Sequence, residues 1–172
     1  MTKPISRRSI KYNIERLRMC LKHSPSNIDD TIAIFGTPRS GTTWLMEMMG
    51  SLPDYLSYFE PFHPGWFSPP LEEGLQVRPF IHPERTDIEY NEYLRKVFQG
   101  RVISNAPHFK LKELQKRLFA DKVLVKFIRA NRILPWILNN FELRGSILII
   151  RHPCATIASQ FNSGITGYFT RS

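Results

Sequence analysis

The chain is 172 residues long, 42% hydrophobic, and carries a formal charge of +9. That length supports one hydrophobic core, and no apolar run approaches the roughly 18 residues a membrane span needs. Two cysteines, Cys20 and Cys154, lie far apart without C-x-x-C spacing, which supports neither a disulfide framework nor a zinc site and leads us to expect reduced, mostly buried thiols in a cytoplasmic protein.

The positive charge is spread along the sequence with no dense basic run and no RNA-binding signature. It therefore fits attraction of a small polyanion better than nucleic-acid binding. At the amino end, Ile5, Ile10, Ile14, Leu17, Cys20 and Leu21 recur near helical spacing, which predicts a basic amphipathic helix within residues 1–30. This segment lacks the apolar core of a secretory signal. Residues 31–172 are expected to form a single domain.

Residues 31–46, TIAIFGTPRSGTTWLM, carry the most information. Ile32 to Phe35 read as a buried strand, Gly36 and Gly41 bracket a turn, and Thr42 and Thr43 stand where a helix begins. Backbone N–H groups in such a turn, with the positive end of the helix dipole, converge on one spot that suits an anionic ester. The spacing approaches the nucleotide-binding pattern G-x-x-x-x-G-K-[ST], but Thr42 stands where the lysine belongs. Arg39 is the cation inside the loop, and its planar fork can hold two anionic oxygens. An ordinary ATPase is disfavoured on this ground, and a plain strand-turn-helix corner that binds nothing stays open.

Next, Tyr55 to Phe59 read as a short aromatic strand with Glu60 at its carboxyl end, where open α/β sheets place their ligands. Glu60 and, three residues on, His63 are the titratable side chains at this end of the sheet. An imidazole titrates near neutrality unaided, whereas a carboxylate must be raised by burial. Each has an ordinary alternative, since Glu60 can pair with an arginine and His63 can sit in a turn. Trp66, Phe67 and the prolines at 61, 64, 69 and 70 make a stiff aromatic stretch, and 61–83 reads as a loop over the site. Aromatic faces suit sugar rings as well as cores.

Segments 87–98 and 110–119 read as polar covering helices with leucine and aromatic anchors. Val123 to Phe127 then give a third strand, followed by Arg129, Arg132 and a helix containing Trp136. A lysine on a buried parallel strand is costly unless paired, so Lys126 either faces an anion or reaches solvent at the strand edge. Finally, Ile147 to Ile150 form an apolar run leading to Arg151, with Pro153 where a helix can start and Ser159 two turns along it. The histidines at 23, 82, 108 and 152 form no metal set, and no acidic residue follows the apolar strands in the place of a metal-holding carboxylate.

The pair TPRSGTTWL and LIIRHPCATIASQ resembles the two nucleotide signatures of sulfotransferases that use 3'-phosphoadenosine 5'-phosphosulfate (PAPS), and the Glu60-Pro61 segment is similar to that of the carbohydrate-acting members. This resemblance implies an α/β, P-loop-like fold with a parallel sheet flanked by helices. It implies PAPS as co-substrate, no metal, and a small-molecule or glycan hydroxyl as acceptor. Pro38, Arg39, Ser40, Gly41, Thr42 and Thr43 would then surround the 5'-phosphosulfate, Trp44 would lie near the adenine, and Arg151 and Ser159 would take the 3'-phosphate. Lys126 and Arg129 resemble a basic strand end near the donor; Arg39 would neutralise the leaving phosphate, and Glu60 would take the acceptor's proton as general base, with His63 as its rival. His152 departs from the more usual Asp or Asn. The resemblance covers about 31–163, and segments that follow the second signature in the family are not found here. The expectation divides accordingly between an enzyme and a truncated, non-catalytic nucleotide-binding protein, and the pattern fixes no oligomeric state.

Overall fold

A computed structural model describes residues 26–63, 75–102 and 120–164. The predicted helices within 1–30 and at 110–119 fall wholly or mainly outside the described residues, as do residues 64–74 of the 61–83 loop, Trp66 and Phe67 among them. Of the first segment, Ile28–Asp30 form a 3-10 turn leading into the sheet.

Four strands, β1 (Ile32–Gly36), β2 (Tyr55–Phe59), β3 (Lys122–Phe127) and β4 (Gly145–Ile149), form a parallel sheet in the order β2-β3-β1-β4. Parallel strands need crossover connections, and helices supply them. Helix α1 (Thr42–Met49) follows β1, α2 (Ile88–Phe98) lies between β2 and β3, α3 (Leu134–Asn140) joins β3 to β4, and α4 (Pro153–Asn162) follows β4. Asp87 caps α2 by accepting from the Tyr90 N–H at 3.2 Å, and Pro153 starts α4 in the first turn, where a missing N–H costs nothing.

Alternation along the strands divides the core in two. Ala33 and Phe35 on β1, with Val123, Val125 and Phe127 on β3, face a large cluster that includes Phe62, Phe98 and Trp136. Phe35 stacks on Phe127 with centroids 5.2 Å apart, and the buried Trp136 donates Nε1–H to the Arg85 carbonyl at 2.7 Å. Ile34 and Leu124 face the opposite side, against Met46 of α1. Lys126, two residues after Leu124, shares that side because side chains repeat every second residue. Its ammonium therefore rises toward the amino end of α1.

The run at 147–150 behaves differently from the inner strands. Strand β4 pairs only with β1 among the described residues, its exposure alternates, and Ile150 lies beyond its end at 84% exposed.

Gly36 closes β1 in a confined space. A Cβ there would lie 2.7 Å from both Ser40 Oγ and Thr42 Cγ2 and 3.0 Å from the Ile149 carbonyl oxygen. Gly36→Ala is expected to destabilise the fold by about 1–3 kcal/mol, the usual cost of overpacking, and chemical denaturation measures it. A variant as stable as the wild type would mean that the loop moves aside freely.

Candidate functional site

All four strand ends open on one edge of the sheet, and each contributes. From β1 the chain enters the turn 37–41, in which Arg39 has φ 69° and Gly41 has φ 106°. Left-handed residues alternating with right-handed ones turn successive N–H groups to one side, which makes an anion-binding concavity. Gly41 is the N-cap of α1 and offers no side chain, so the first N–H groups of that helix have no side-chain cap. Ser40 and Thr42 are buried, and Ser40 Oγ has no hydrogen-bond partner. A buried hydroxyl without a partner is costly unless something else satisfies it. Thr43 and Arg39 are exposed, and Trp44 presents its indole 67% exposed on α1.

Strand β4 is the neighbour of β1, with Gly36 opposite Ile149, so the turn after β4 lies beside the loop after β1. Arg151 Nη1 donates to the Arg39 carbonyl at 3.0 Å. Arg39 Nε in turn donates to Ser159 Oγ at 3.1 Å. The loop residue Arg39 and the α4 residue Ser159 are thus in direct contact, 120 positions apart in sequence.

Two further side chains hold the loop. Asn131, in the 3-10 turn Asn131–Ile133 after β3, accepts from the Gly36 N–H at 3.1 Å and donates to the Gly36 carbonyl at 3.0 Å. Gln160 donates to the Pro38 carbonyl at 2.9 Å. Neither was singled out from the sequence. An amide four residues beyond a strand carries no local signal, and Gln160 reads as one more polar position on a helix.

On the other side, Glu60 follows β2 with φ 57°. The positive φ turns its side chain back over the end of β3. Its N–H donates to the Lys126 carbonyl at 3.0 Å, while Oε2 accepts from the Ile128 N–H at 3.2 Å and from Arg129 Nη1 at 3.2 Å. Lys126 Nζ lies 3.3 Å from Oε1, which has no directed hydrogen bond. The same ammonium donates to Thr43 Oγ1 at 3.1 Å and sits 3.3 Å from the centroid of the Phe59 ring. Of the two alternatives for Lys126, the paired one holds, with Glu60 and Thr43 as its partners.

Glu60 and Lys126 are both nearly inaccessible, at 1% and 2% exposure. Burial raises the Glu60 carboxyl above the ordinary carboxylate range, opposed by the charges of Lys126 and Arg129 and by the Ile128 N–H. Burial likewise lowers the Lys126 ammonium, opposed by Glu60. Environments that move an acid and a base this way are typical of reactive sites, though structural ion pairs share them. His63 donates its backbone N–H to the Glu60 carbonyl at 2.9 Å, which closes a tight turn and keeps the second candidate base within three residues of the first.

Among the described residues, no group of three or more His, Cys, Asp or Glu could hold a metal ion, and no helix is long and apolar enough to cross a membrane. No curated protein and no solved structure matches the chain. A family model described as the sulfotransferase family matches residues 31–170, from the start of the sheet through both loops and α4. A match over most of the sequence, taking in every strand end described above, means that the chain belongs to the sulfotransferase family.

Proposed function

We propose that this protein transfers a sulfuryl group from 3'-phosphoadenosine 5'-phosphosulfate to a hydroxyl of a carbohydrate, with Glu60 taking the acceptor's proton. Sulfuryl transfer follows from the family; the donor, the acceptor class and the residue roles are our reading. The observation that carries it is Lys126, whose ammonium touches both Thr43, in the first turn of α1 after the loop, and the carboxylate of Glu60. One buried cation links the two halves that a group transfer requires, an anion cradle and a base.

The residues fit such a donor. The turn 37–41 has two left-handed positions, and Ser40 Oγ awaits a partner. Thr43 accepts from Lys126, so its own hydrogen is free to donate to an anionic oxygen. The bound donor supplies the sulfuryl group and a phosphate that leaves as an anion. Arg39, Ser40, Gly41, Thr42 and Thr43 hold the 5' end, while Arg151 and Ser159 hold the 3'-phosphate. Trp44 offers an exposed aromatic face to the adenine. Lys126 and Arg39 offset the charge that grows on the leaving oxygen, the role that positioned cations play in phosphoryl transfer.

Glu60 Oε1, which faces the Lys126 ammonium at 3.3 Å, keeps a second lone pair to receive the hydroxyl proton. His63, on the same turn, is the alternative base. The preference for a carbohydrate rests on the similarity of the Glu60-Pro61 segment. Cys154 is exposed and not buried as expected; we read the setting as cytoplasmic, where its thiol stays reduced.

Incubation with radiolabelled donor and a panel of glycans and simple alcohols tests the whole reading. Label is expected in a glycan. Tight binding of adenosine 3',5'-bisphosphate with no labelled product from any acceptor would favour the non-catalytic alternative, and no binding at all would end both.

A further inference from the structure

Four successive carbonyls of the loop after β1 already have donors. Gly36 accepts from Asn131 Nδ2 at 3.0 Å, Thr37 from the Ser40 N–H at 3.1 Å, Pro38 from Gln160 Nε2 at 2.9 Å, and Arg39 from Arg151 Nη1 at 3.0 Å. Only the Ser40 N–H belongs to the loop. The others are side chains reaching in from the turn after β3, from α4 and from the turn before it. A carbonyl oxygen carries partial negative charge, so any that swung toward a bound anion would repel it. With the Gly36 and Ser40 N–H groups engaged within this scaffold, drawing the carbonyls toward the flanking elements keeps their partial negative charge off the side on which the remaining N–H groups can meet an anion.

Asn131 acts where the sheet runs out. Pairing of β1 with β3 stops at Phe35 opposite Phe127. At Gly36 no β3 peptide remains alongside, and the carboxamide takes its place, accepting from the N–H and donating to the carbonyl of the same residue. One side chain thereby fixes the point at which strand becomes loop. Gln160, buried at 6% exposure, pins the loop two residues later.

We propose that Asn131 and Gln160 are positioning residues of the donor site, holding the loop in its anion-accepting form without touching the donor themselves. The proposal rests on reading this loop as the donor site. Both side chains are uncharged amides and add no Coulombic attraction of their own, so any effect on anion affinity has to pass through the loop.

Asn131→Leu and Gln160→Met remove the hydrogen bonds while keeping volume and charge. Each variant is measured well below its melting temperature, with circular dichroism showing that it is folded. Calorimetry with adenosine 3',5'-bisphosphate is expected to give a Kd roughly fivefold or more above wild type, the equivalent of one lost hydrogen bond. The donor KM rises in step with the Kd. A lower melting temperature with unchanged Kd and KM in the folded variants makes the two amides merely structural and overturns the proposal. Should Asn131→Leu fail to fold, Asn131→Ser takes its place, and Gln160→Met is a separate test of the same claim. Wild-type protein that binds no adenosine 3',5'-bisphosphate would overturn the donor reading and this proposal together. Wild-type binding that both variants match would overturn this one alone.

Discussion

Arg39→Ala and Arg151→Ala are each expected to raise the Kd for adenosine 3',5'-bisphosphate by one to two orders of magnitude. A hydrogen bond to a charged group contributes about 1.5–3 kcal/mol, and about 1.4 kcal/mol corresponds to tenfold in affinity. Both guanidinium groups are exposed in the free protein and, among the described residues, make only uncharged contacts, Arg39 with the Ser159 hydroxyl and Arg151 with the Arg39 carbonyl. Little is therefore lost in stability when either is removed, and the effect should appear in binding. Because Arg151 supports the backbone of Arg39 itself, the double variant is expected to lose less than the two single losses combined. Arg39→Lys separates charge from shape: a lysine keeps the charge but lacks the planar fork, so it should recover only part of the affinity. Unchanged affinity in both alanine variants would show that the anion sits elsewhere.

The sequence made the strands and the loop legible because their signals are local. The apolar stretches around Ile32 to Phe35 and Val123 to Phe127 are buried parallel strands that read as continuous hydrophobic runs. Gly36 and Gly41 sit at the ends of a turn whose geometry needs them, one for space and one for a left-handed φ. Contacts made by sheet register were not legible. Lys126 meets Glu60 because Phe59 is its partner across β2 and β3, and nothing within either segment announces that pairing. Arg39 and Arg151 could be read as two separated anchors until β4 proved to lie next to β1. That adjacency brings Ser159 onto Arg39 and merges the two anchors into one continuous rim. Asn131 shows a further limit, for its role exists only where β3 stops one residue short of β1.

Glu60→Gln should reduce kcat by about two to four orders of magnitude, the range ascribed to a positioned general base, while leaving donor affinity nearly intact. An amide matches the carboxylate in shape but cannot accept the acceptor's proton. The pH profile gives a sharper signature. Burial holds the Glu60 carboxyl above its ordinary value of 4.5, so the active carboxylate form fills only as pH rises through that higher value. In the wild type, kcat/KM, which follows the free enzyme, should therefore climb with pH along an acidic limb above the ordinary carboxylate range, and Glu60→Gln should abolish the limb. The substitution also leaves Lys126 and Arg129 without their counter-charge. Removing one partner of a buried ion pair costs about 3–5 kcal/mol, so kinetics belong at a temperature where the variant is shown to be folded. If a folded Glu60→Gln enzyme kept both its rate and its acidic limb, the carboxylate would be a structural anchor for Lys126. His63 would then carry the proton, and His63→Gln would be the variant that loses turnover.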